Sequence, residues 1–255
     1  MNLEHKTLLT VSTLAVLIAV RANSAEILTN GNFESFSSGN PTSWTYTQGD
    51  GPATLESSAS VSPFTDVYPF STRSVLLTEG SDTNFTPNLR QSFTPQTGSV
   101  LFSFEFRLSS LAGDPWLCVP TNSANFSLNN LRIGGASGNF ALSDGSGFPD
   151  ILALSTGTWY QVSMTFNFAA SSYSGSITPF GGGPSTWSNR SFLAGSLATP
   201  NVASVSFGDL SSMVANGPIA IDNASIVPEP PTFALLALAG GVTLVMRRFS
   251  GWMKA

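Results

Sequence analysis

The sequence predicts an all-β fold, an antiparallel sandwich of two sheets, with a short apolar segment before it and another after it. The first observation is strict period-two alternation from Val100 to Leu108 and from Tyr160 to Phe168, which is typical of strands buried on one face. The second is a series of Gly-rich turn clusters, such as 181–184. The third is the lack of any convincing 3.6-residue period within 26–226. Many short strands without intervening helices favour such a sandwich.

Seven stretches of the sequence are predicted to be strands because their apolar residues alternate or cluster between turn signals. In chain order they run from Ser74 to Leu77, Val100 to Leu108, Phe126 to Ile133, Ile151 to Leu154, Tyr160 to Phe168, Ala203 to Phe207 and Ile219 to Ile226. No internal repeat and no long linker divides them. We therefore expect one domain over residues 26–226.

The charge of this domain is low and acidic. Between Glu26 and Ile226 there are thirteen acidic residues, five Arg and no Lys. Such a surface repels phosphate backbones, so nucleic acid is not expected as a partner.

The first 25 residues have the three parts of a secretory signal peptide. His5 and Lys6 form a weakly basic start, and an apolar run from Leu8 to Val20, predicted to be the signal helix, follows. Small residues from Ala22 to Ala25 then offer a cleavage site. We expect a signal peptidase to remove residues 1–25 during export.

Residues 227–255 form a second targeting segment. It starts with Val227-Pro228-Glu229-Pro230, continues with an apolar run from Phe233 to Met246, and reaches Arg247 and Arg248. The prolines disfavour helix and keep the first part extended. The apolar run gives a helix of about 21 Å, shorter than the roughly 30 Å hydrocarbon core, and the Arg pair holds its far end in the cytoplasm. This order indicates a transient membrane anchor, with an ordinary single-pass anchor as the alternative.

These residues resemble the PEP-CTERM sorting signal, also called the ice-binding protein C-terminal domain. The resemblance implies a Gram-negative host and cleavage near Val227, Pro228, Glu229 and Pro230 by an exosortase. Arg247 and Arg248 would be the basic stop. It also implies delivery to the cell surface or an extracellular polysaccharide matrix. The seven residues after Arg248 depart from the family, whose members usually end there.

The domain itself carries shorter resemblances. Residues 27–34, then Pro41 to Trp44, and finally 219–226 resemble the opening and closing motifs of carbohydrate-binding-module-like jelly rolls. Residues 158–162 resemble a strand of concanavalin A-like and laminin-G-like folds. Both families imply a jelly roll. The first also implies a structural calcium ion near the first and last strands, which would place Glu34 and Asp222 at the ion; no other cofactor is expected.

The domain lacks the residues that several kinds of catalysis require. The only His, His5, lies in the signal peptide, and the domain has no Lys, which excludes triads of the Ser-His-Asp type and Schiff-base chemistry there. A glycosidase needs two carboxylates about 5–9 Å apart. No strand places two acidic residues at i and i+2, and Glu105 stands alone on an outward face. We therefore expect no enzymatic activity.

Sugar binding would need exposed aromatic rings beside hydrogen-bonding side chains. Three Trp residues are candidates: Trp159 shares a strand face with polar residues, Trp187 lies among Gly and Ser, and Trp116 follows Asp114-Pro115. The alternative for each is a place over the core. The sequence thus favours an exported, non-catalytic matrix component with weak affinity for extracellular polysaccharide. The alternatives are a dedicated carbohydrate-binding module and a glycoside-active enzyme.

Overall fold

The computed structural model describes residues 25–47, 54–69, 71–78, 88–143, 147–209 and 217–229. Within these ranges the chain forms β-strands and one short 3-10 helix, Ala194–Ser196. The strands are β1 (Phe36–Ser37), β2 (Asn40–Pro41), β3 (Thr45–Thr47), β4 (Thr54–Ser58), β5 (Ser74–Thr78), β6 (Asn88–Gln96), β7 (Ser99–Leu108), β8 (Trp116–Thr121), β9 (Leu131–Gly134), β10 (Asn139–Leu142), β11 (Asp150–Ala153), β12 (Trp159–Asn167), β13 (Ser172–Pro179), β14 (Ser185–Ser191), β15 (Val202–Asp209) and β16 (Ile219–Pro228).

The strands of these ranges build two seven-stranded sheets and a small hairpin, β1–β2. The front sheet has the order β14-β13-β12-β7-β16-β5-β4, and the back sheet has the order β11-β10-β9-β8-β15-β6-β3. Neighbouring strands are antiparallel throughout both sheets. The predicted antiparallel sandwich is therefore confirmed.

The two terminal helices predicted from the sequence, within residues 8–20 and 233–246, lie outside the described residues. In the part of the chain that is described, no helix is long and apolar enough to cross a membrane.

The core between the sheets is rich in Phe because alternation on β7 and β12 turns one aromatic row inward. Phe102, Phe104 and Phe106 have no exposed surface, and Phe106 stacks on Tyr160 of β12 at a ring-centroid distance of 5.3 Å. Cys118 on β8 is also fully buried, and burial raises the pKa of its thiol. It serves as a small apolar core residue.

The strand predicted from Phe126 to Ile133 is wrong in its first half, since β9 begins only at Leu131. The side chain of Asn122 is the cause. Its Oδ1 accepts hydrogen bonds from the backbone amides of Ala124, 3.0 Å away, and Phe126, 2.9 Å away, and it bends the chain into a turn. The turn leaves the Phe126 ring 51% exposed.

The opening and closing motifs of the domain contact each other directly. The amide of Ala224 on β16 donates to the carbonyl of Gly31 at 2.9 Å. A side chain at Gly31 would meet the Ala224 carbonyl oxygen at 1.9 Å, so only Gly permits this approach. Phe33 is fully buried beside Trp44, with ring centroids 5.0 Å apart. This contact brings the loop that carries Glu34 to the side of β16.

Candidate functional site

The outer face of the front sheet carries the polar residues of its central strands. Alternation turns Ser103, Glu105 and Arg107 of β7 away from the core, as predicted. The connection between β4 and β5, residues 59–73, lies over this face; we call it the β4–β5 loop, and its Phe70 is outside the described residues. Arg107 Nη1 donates to Ser60 Oγ of the loop at 2.8 Å.

A bulge in β16 gathers two polar side chains at the middle of this face. Asp222 lies opposite Glu105, whereas Ser225 lies opposite Ser103, so β16 has one more residue than β7 here. Asn223 lies in the bulge and has a positive φ of 49°. Asn tolerates this conformation better than most residues. Its Nδ2 then donates to Glu105 Oε2 at 2.6 Å.

Glu105 is 1% exposed and lies against a second carboxyl group. Burial is the main cause that raises the pKa of Glu105, to about 7, and the charge of Asp222 raises it further. Hydrogen bonds from Ser62, Asn223 and Gln161 oppose the rise. Gln161 Nε2 donates both to Glu105 Oε1 at 3.2 Å and to Asp66 Oδ1 of the β4–β5 loop at 2.7 Å.

Asp222 has no exposed surface. Burial is again the main cause, and it raises the pKa of Asp222 to about 6. Hydrogen bonds oppose this rise, among them one from the Ser62 backbone amide, which lies 3.0 Å from Oδ2. The charge of Glu34 adds to the rise. Two buried carboxyl groups on facing strand positions therefore bind protons more tightly than free carboxyl groups do.

The Glu34 carboxylate, which belongs to the opening motif, shares the neighbour Ser71 with Asp222. Ser71 Oγ lies 3.1 Å from Glu34 Oε1, 3.1 and 3.2 Å from the two Asp222 carboxylate oxygens, and 3.0 Å from the Arg73 carbonyl oxygen. One hydroxyl has one proton, so it can satisfy only one of these acceptors at a time. Partial burial of Glu34 is outweighed by hydrogen bonds from Thr72, Arg73 and Ser71, which lower the pKa of this carboxyl group.

This convergence of oxygen atoms fits a hard cation. Calcium takes carboxylate and carbonyl oxygens in flexible geometry, and the predicted ligands Glu34 and Asp222 contribute carboxylates beside the Arg73 carbonyl. Among the residues that the structure describes, no group of three or more acidic, His or Cys side chains could hold a metal. The fit therefore depends on two carboxylates supplemented by neutral oxygens.

Two of the three predicted sugar-binding Trp residues belong to the core. Trp116 is 2% exposed and its Nε1 donates to the Gly217 carbonyl at 2.9 Å. Trp187 is 6% exposed and its ring lies 5.9 Å from that of Phe140. The prediction that these rings stack on a glycan is wrong, because both indoles fill the space between the sheets.

Trp159 has a different environment. It lies opposite Arg107 on the outer face of the front sheet, and it is not part of the core cluster. Its ring is nevertheless only 8% exposed, so it is covered from the side of the outer face and is closed to ligand in this conformation.

The sequence did not identify the residues that complete this site. Arg107, Gln161, Asn223 and the serines of the β4–β5 loop are common polar residues with no motif of their own. The Asp222-Asn223 pair was the available signal, because two polar residues interrupt an otherwise alternating strand there. Its pairing with Glu105, 118 residues away from Asn223, depends on strand order.

The predicted processing motif begins on the last strand. Val227 and Pro228 lie opposite Leu101 and Val100 at the end of β16, and the Glu229 amide donates to the Ser99 carbonyl at 2.9 Å. Glu229 itself is exposed. The other predicted sorting residues, Pro230, Arg247 and Arg248, lie outside the described residues.

The chain matches no protein-family model and no curated protein. Solved structures that resemble it include a sialidase, with 11% identity and a TM-score of 0.49 over 62% of this chain and 16% of that one. The catalytic domain of a glycoside hydrolase family 131 protein from Coprinopsis cinerea has 13% identity and a TM-score of 0.48 over 80% of this chain and 91% of that one. A Lotus tetragonolobus seed lectin has 13% identity and a TM-score of 0.46, with 81% and 100% covered.

At these identities the likeness concerns the fold alone. The prediction that the domain is not an enzyme is nevertheless wrong in its premise. It depended on the absence of paired carboxylates, and Glu105 and Asp222 form such a pair across β7 and β16. The chain is thus an antiparallel β-sandwich whose outer face carries a buried carboxyl pair.

Proposed function

We propose that this domain recognises glycans at the surface of the cell that exports it. The observation that carries the proposal is a ladder of polar side chains on the outer face of the front sheet. In the antiparallel register of β12 and β13 the pairs are Gln161 with Thr178, Ser163 with Ser176, and Thr165 with Ser174. We call these six residues the polar ladder.

The polar ladder is available to a ligand. The hydroxyl groups of Ser163, Thr165, Ser176 and Thr178 make no side-chain hydrogen bond to any other described residue, and all four side chains are partly exposed. A row of free hydroxyl groups on a flat strand pair can exchange hydrogen bonds with the hydroxyl groups of a sugar chain.

An exposed aromatic ring lies at the end of the polar ladder. Phe180 follows Thr178 by two residues and is 55% exposed. Its ring meets Phe64 of the β4–β5 loop edge-on, with centroids 5.4 Å apart. A ring held in this way offers an apolar face for stacking on a pyranose ring.

The test is binding of neutral polysaccharides, by a glycan array followed by calorimetry. We expect dissociation constants near the millimolar end, since one ring and a few hydroxyl groups on an open surface contribute only a few kcal/mol. Phe180→Ala should remove most of the binding. Phe126→Ala is the matched control, because Phe126 is similarly exposed at 51% but lies in the turn before β9. Equal binding by both variants would contradict the proposal.

A second candidate function, glycoside hydrolysis, is favoured by the carboxyl pair. A glycosidase uses one carboxylic acid with a raised pKa as the proton donor and a second carboxylate as nucleophile or base. Burial keeps the pKa of Glu105 near 7 beside Asp222, but both groups are covered by the β4–β5 loop. Release of reducing ends from soluble glucans, abolished by Glu105→Gln, would support this function over binding alone.

The proposal also includes export, sorting and a metal. Residues 1–25 would direct the chain out of the cytoplasm, and an exosortase would cleave near Val227 to Pro230 after the apolar run had held the chain in the membrane. The Arg pair, 247–248, would stop translocation. Calcium, held by Glu34 and Asp222, would fasten the opening motif to β16 and so stabilise the sheet that carries the polar ladder.

A further inference from the structure

The β4–β5 loop covers a set of side chains whose chemistry suits a sugar. The loop contacts a guanidinium group (Arg107), a carboxamide (Gln161) and a carboxyl group (Glu105). A buried indole, Trp159, lies opposite Arg107 on the same face of β7 and β12. Indole faces stack on pyranose rings, and the three polar groups donate to or accept from hydroxyl groups.

The loop satisfies these groups with small hydroxyl and carboxylate side chains. Ser60 Oγ accepts from Arg107 at 2.8 Å, the Ser62 hydroxyl group bonds Glu105, and Asp66 Oδ1 accepts from Gln161 at 2.7 Å. Two of the three loop groups are hydroxyls, the same functional group that a neutral sugar would bring.

The cover is held mainly by polar contacts. Besides those to the sheet, its Ser62 amide donates to Asp222 and its residues 71–73 donate to Glu34. Among the described residues of the loop only Ser62 is buried, and Phe64 and Tyr68 are partly exposed. A segment with little buried apolar surface opens at low free-energy cost. Replacement of its hydrogen bonds by those of a sugar keeps the number of satisfied groups unchanged.

One buried group under the loop is left without a partner. Asn223 Oδ1 has no hydrogen bond, although Asn223 has no exposed surface and its Nδ2 is bonded to Glu105. An unpartnered buried acceptor costs free energy that a ligand donor would recover. It lies at the bottom of the covered site, beside the carboxyl group that Ser62 contacts.

We infer that the β4–β5 loop is an intramolecular substitute for a bound glycan, and that its displacement opens a second sugar subsite formed by Trp159, Arg107, Gln161 and Glu105. The inference rests on the proposed glycan function and adds its regulation. The ligand is a neutral hexopyranose chain, because Glu105 and the adjacent Asp222 would repel an anionic sugar there.

The experiment loosens the loop without changing the sheet. In Ser60→Ala/Asp66→Ala the contacts to Arg107 and Gln161 are lost. Each of these hydrogen bonds has one charged partner, and together they favour the closed state by roughly tenfold. Full-length protein in a sugar-free non-ionic detergent is titrated with laminarihexaose, cellohexaose and mannohexaose. We expect the double variant to bind one of them about tenfold more tightly than the parent. Thr65→Ala is the control, because Thr65 is exposed and makes no hydrogen bond to a described residue.

A substitution in the sheet then tests whether the added affinity comes from the proposed subsite. Arg107→Gln, added to the double variant, should remove the gain in affinity, and thermal melts confirm that all variants are folded. Unchanged affinity in the double variant, with a parent that binds, overturns the inference and leaves the proposed function standing. Absence of binding in both overturns both. Binding by the double variant alone supports the inference and overturns the open polar ladder as a site.

Discussion

Glu34 and Asp222 are joined by a single hydroxyl group. Ser71 Oγ lies 3.1 Å from Glu34 Oε1 and 3.1 Å from Asp222 Oδ1, and the Arg73 carbonyl oxygen is at 3.0 Å from the same atom. With Asp222 Oδ2, 3.2 Å away, four oxygen acceptors surround this one proton, and they repel one another unless a positive charge is added. The relationship ties the opening motif to the last strand, and we expect the junction to be sensitive to cations.

The first prediction is that calcium raises the melting temperature of the protein. Binding only to the folded state stabilises it in proportion to the logarithm of the calcium concentration over Kd. Chelator should reverse the shift, and Asp222→Asn or Glu34→Gln should abolish it. Asp150→Ala is the control, because Asp150 is an exposed acidic residue on β11. A melting curve indifferent to calcium and chelator would rule out the site.

The second prediction concerns pH in the presence of chelator. The raised pKa values of Glu105, about 7, and Asp222, about 6, mean that the folded state binds protons more tightly than the unfolded chain. The free energy of unfolding is therefore highest below pH 4.5 for this pair and falls, by a few kcal/mol, as pH rises through about 6 to 7. Glu105→Gln should flatten the decrease. Denaturant titrations at pH 4.5, 6 and 7.5 would measure it.

Titration of Glu34 changes the free energy of unfolding in the opposite direction and over a lower pH range. The pKa of this carboxyl group is lowered, so its contribution to stability is present above its ordinary value near 4.5 and is lost as pH falls below that value. The contribution of these three groups to stability is therefore greatest between the two pH ranges, near pH 4.5. A stability that rises steadily from pH 4.5 to 7.5 under chelator would contradict this account.

The third prediction separates two buried Trp residues. Replacement of either Trp116 or Trp187 by Ala should cost about 3–5 kcal/mol, as for other large core residues. Replacement by Phe should distinguish them. Trp116→Phe loses the hydrogen bond to Gly217 and leaves that carbonyl without its donor, whereas Trp187 Nε1 is buried without a partner. Trp187→Phe should therefore be the milder change in a urea titration, and the reverse order would show that Trp187 has a polar partner in solution.

The fourth prediction concerns processing at the C-terminus. If the sorting motif is cleaved, protein extracted from the cell surface should lack residues 233–246. Because Val227 and Pro228 are paired with β7, the cut should fall after Glu229, outside the sheet. Intact-mass measurement gives the terminal residue directly. A full-length C-terminus, or an end before Val227, would exclude this mode of processing.

The sequence was most informative where one face of a strand is buried and the other is not. β7 and β12 alternate over their whole length, and both lie close to their predicted bounds. β13 gave no such signal, because only Tyr173 and Ile177 turn inward fully and the other positions are Ser, Gly, Thr or Pro. Its polar outer row, half of the polar ladder, was missed for the same reason.

The site was less accessible to prediction than the strands. The outward position of Glu105 followed from alternation, but its partner did not, since β16 meets β7 only through the strand order of the sheet. For Trp116 and Trp187 the prediction failed in the opposite way, because side chains expected at a binding surface are buried in the core. Trp187 stands among Gly and Ser in sequence, and yet its indole packs against the core, because Gly175 opposite it has no Cβ, which would lie 2.7 Å from the Trp187 ring.

The place of β16 constrains how the chain folds as it is synthesised. This strand is the last one in the described part of the chain, and it lies between β7 and β5, which come from residues 74–108. Until residue 228 has emerged, those two strands cannot be joined, and each presents an unpaired edge. Contacts of such long sequence separation form slowly. A chain released early therefore leaves the front sheet divided, and only the complete domain can close its core.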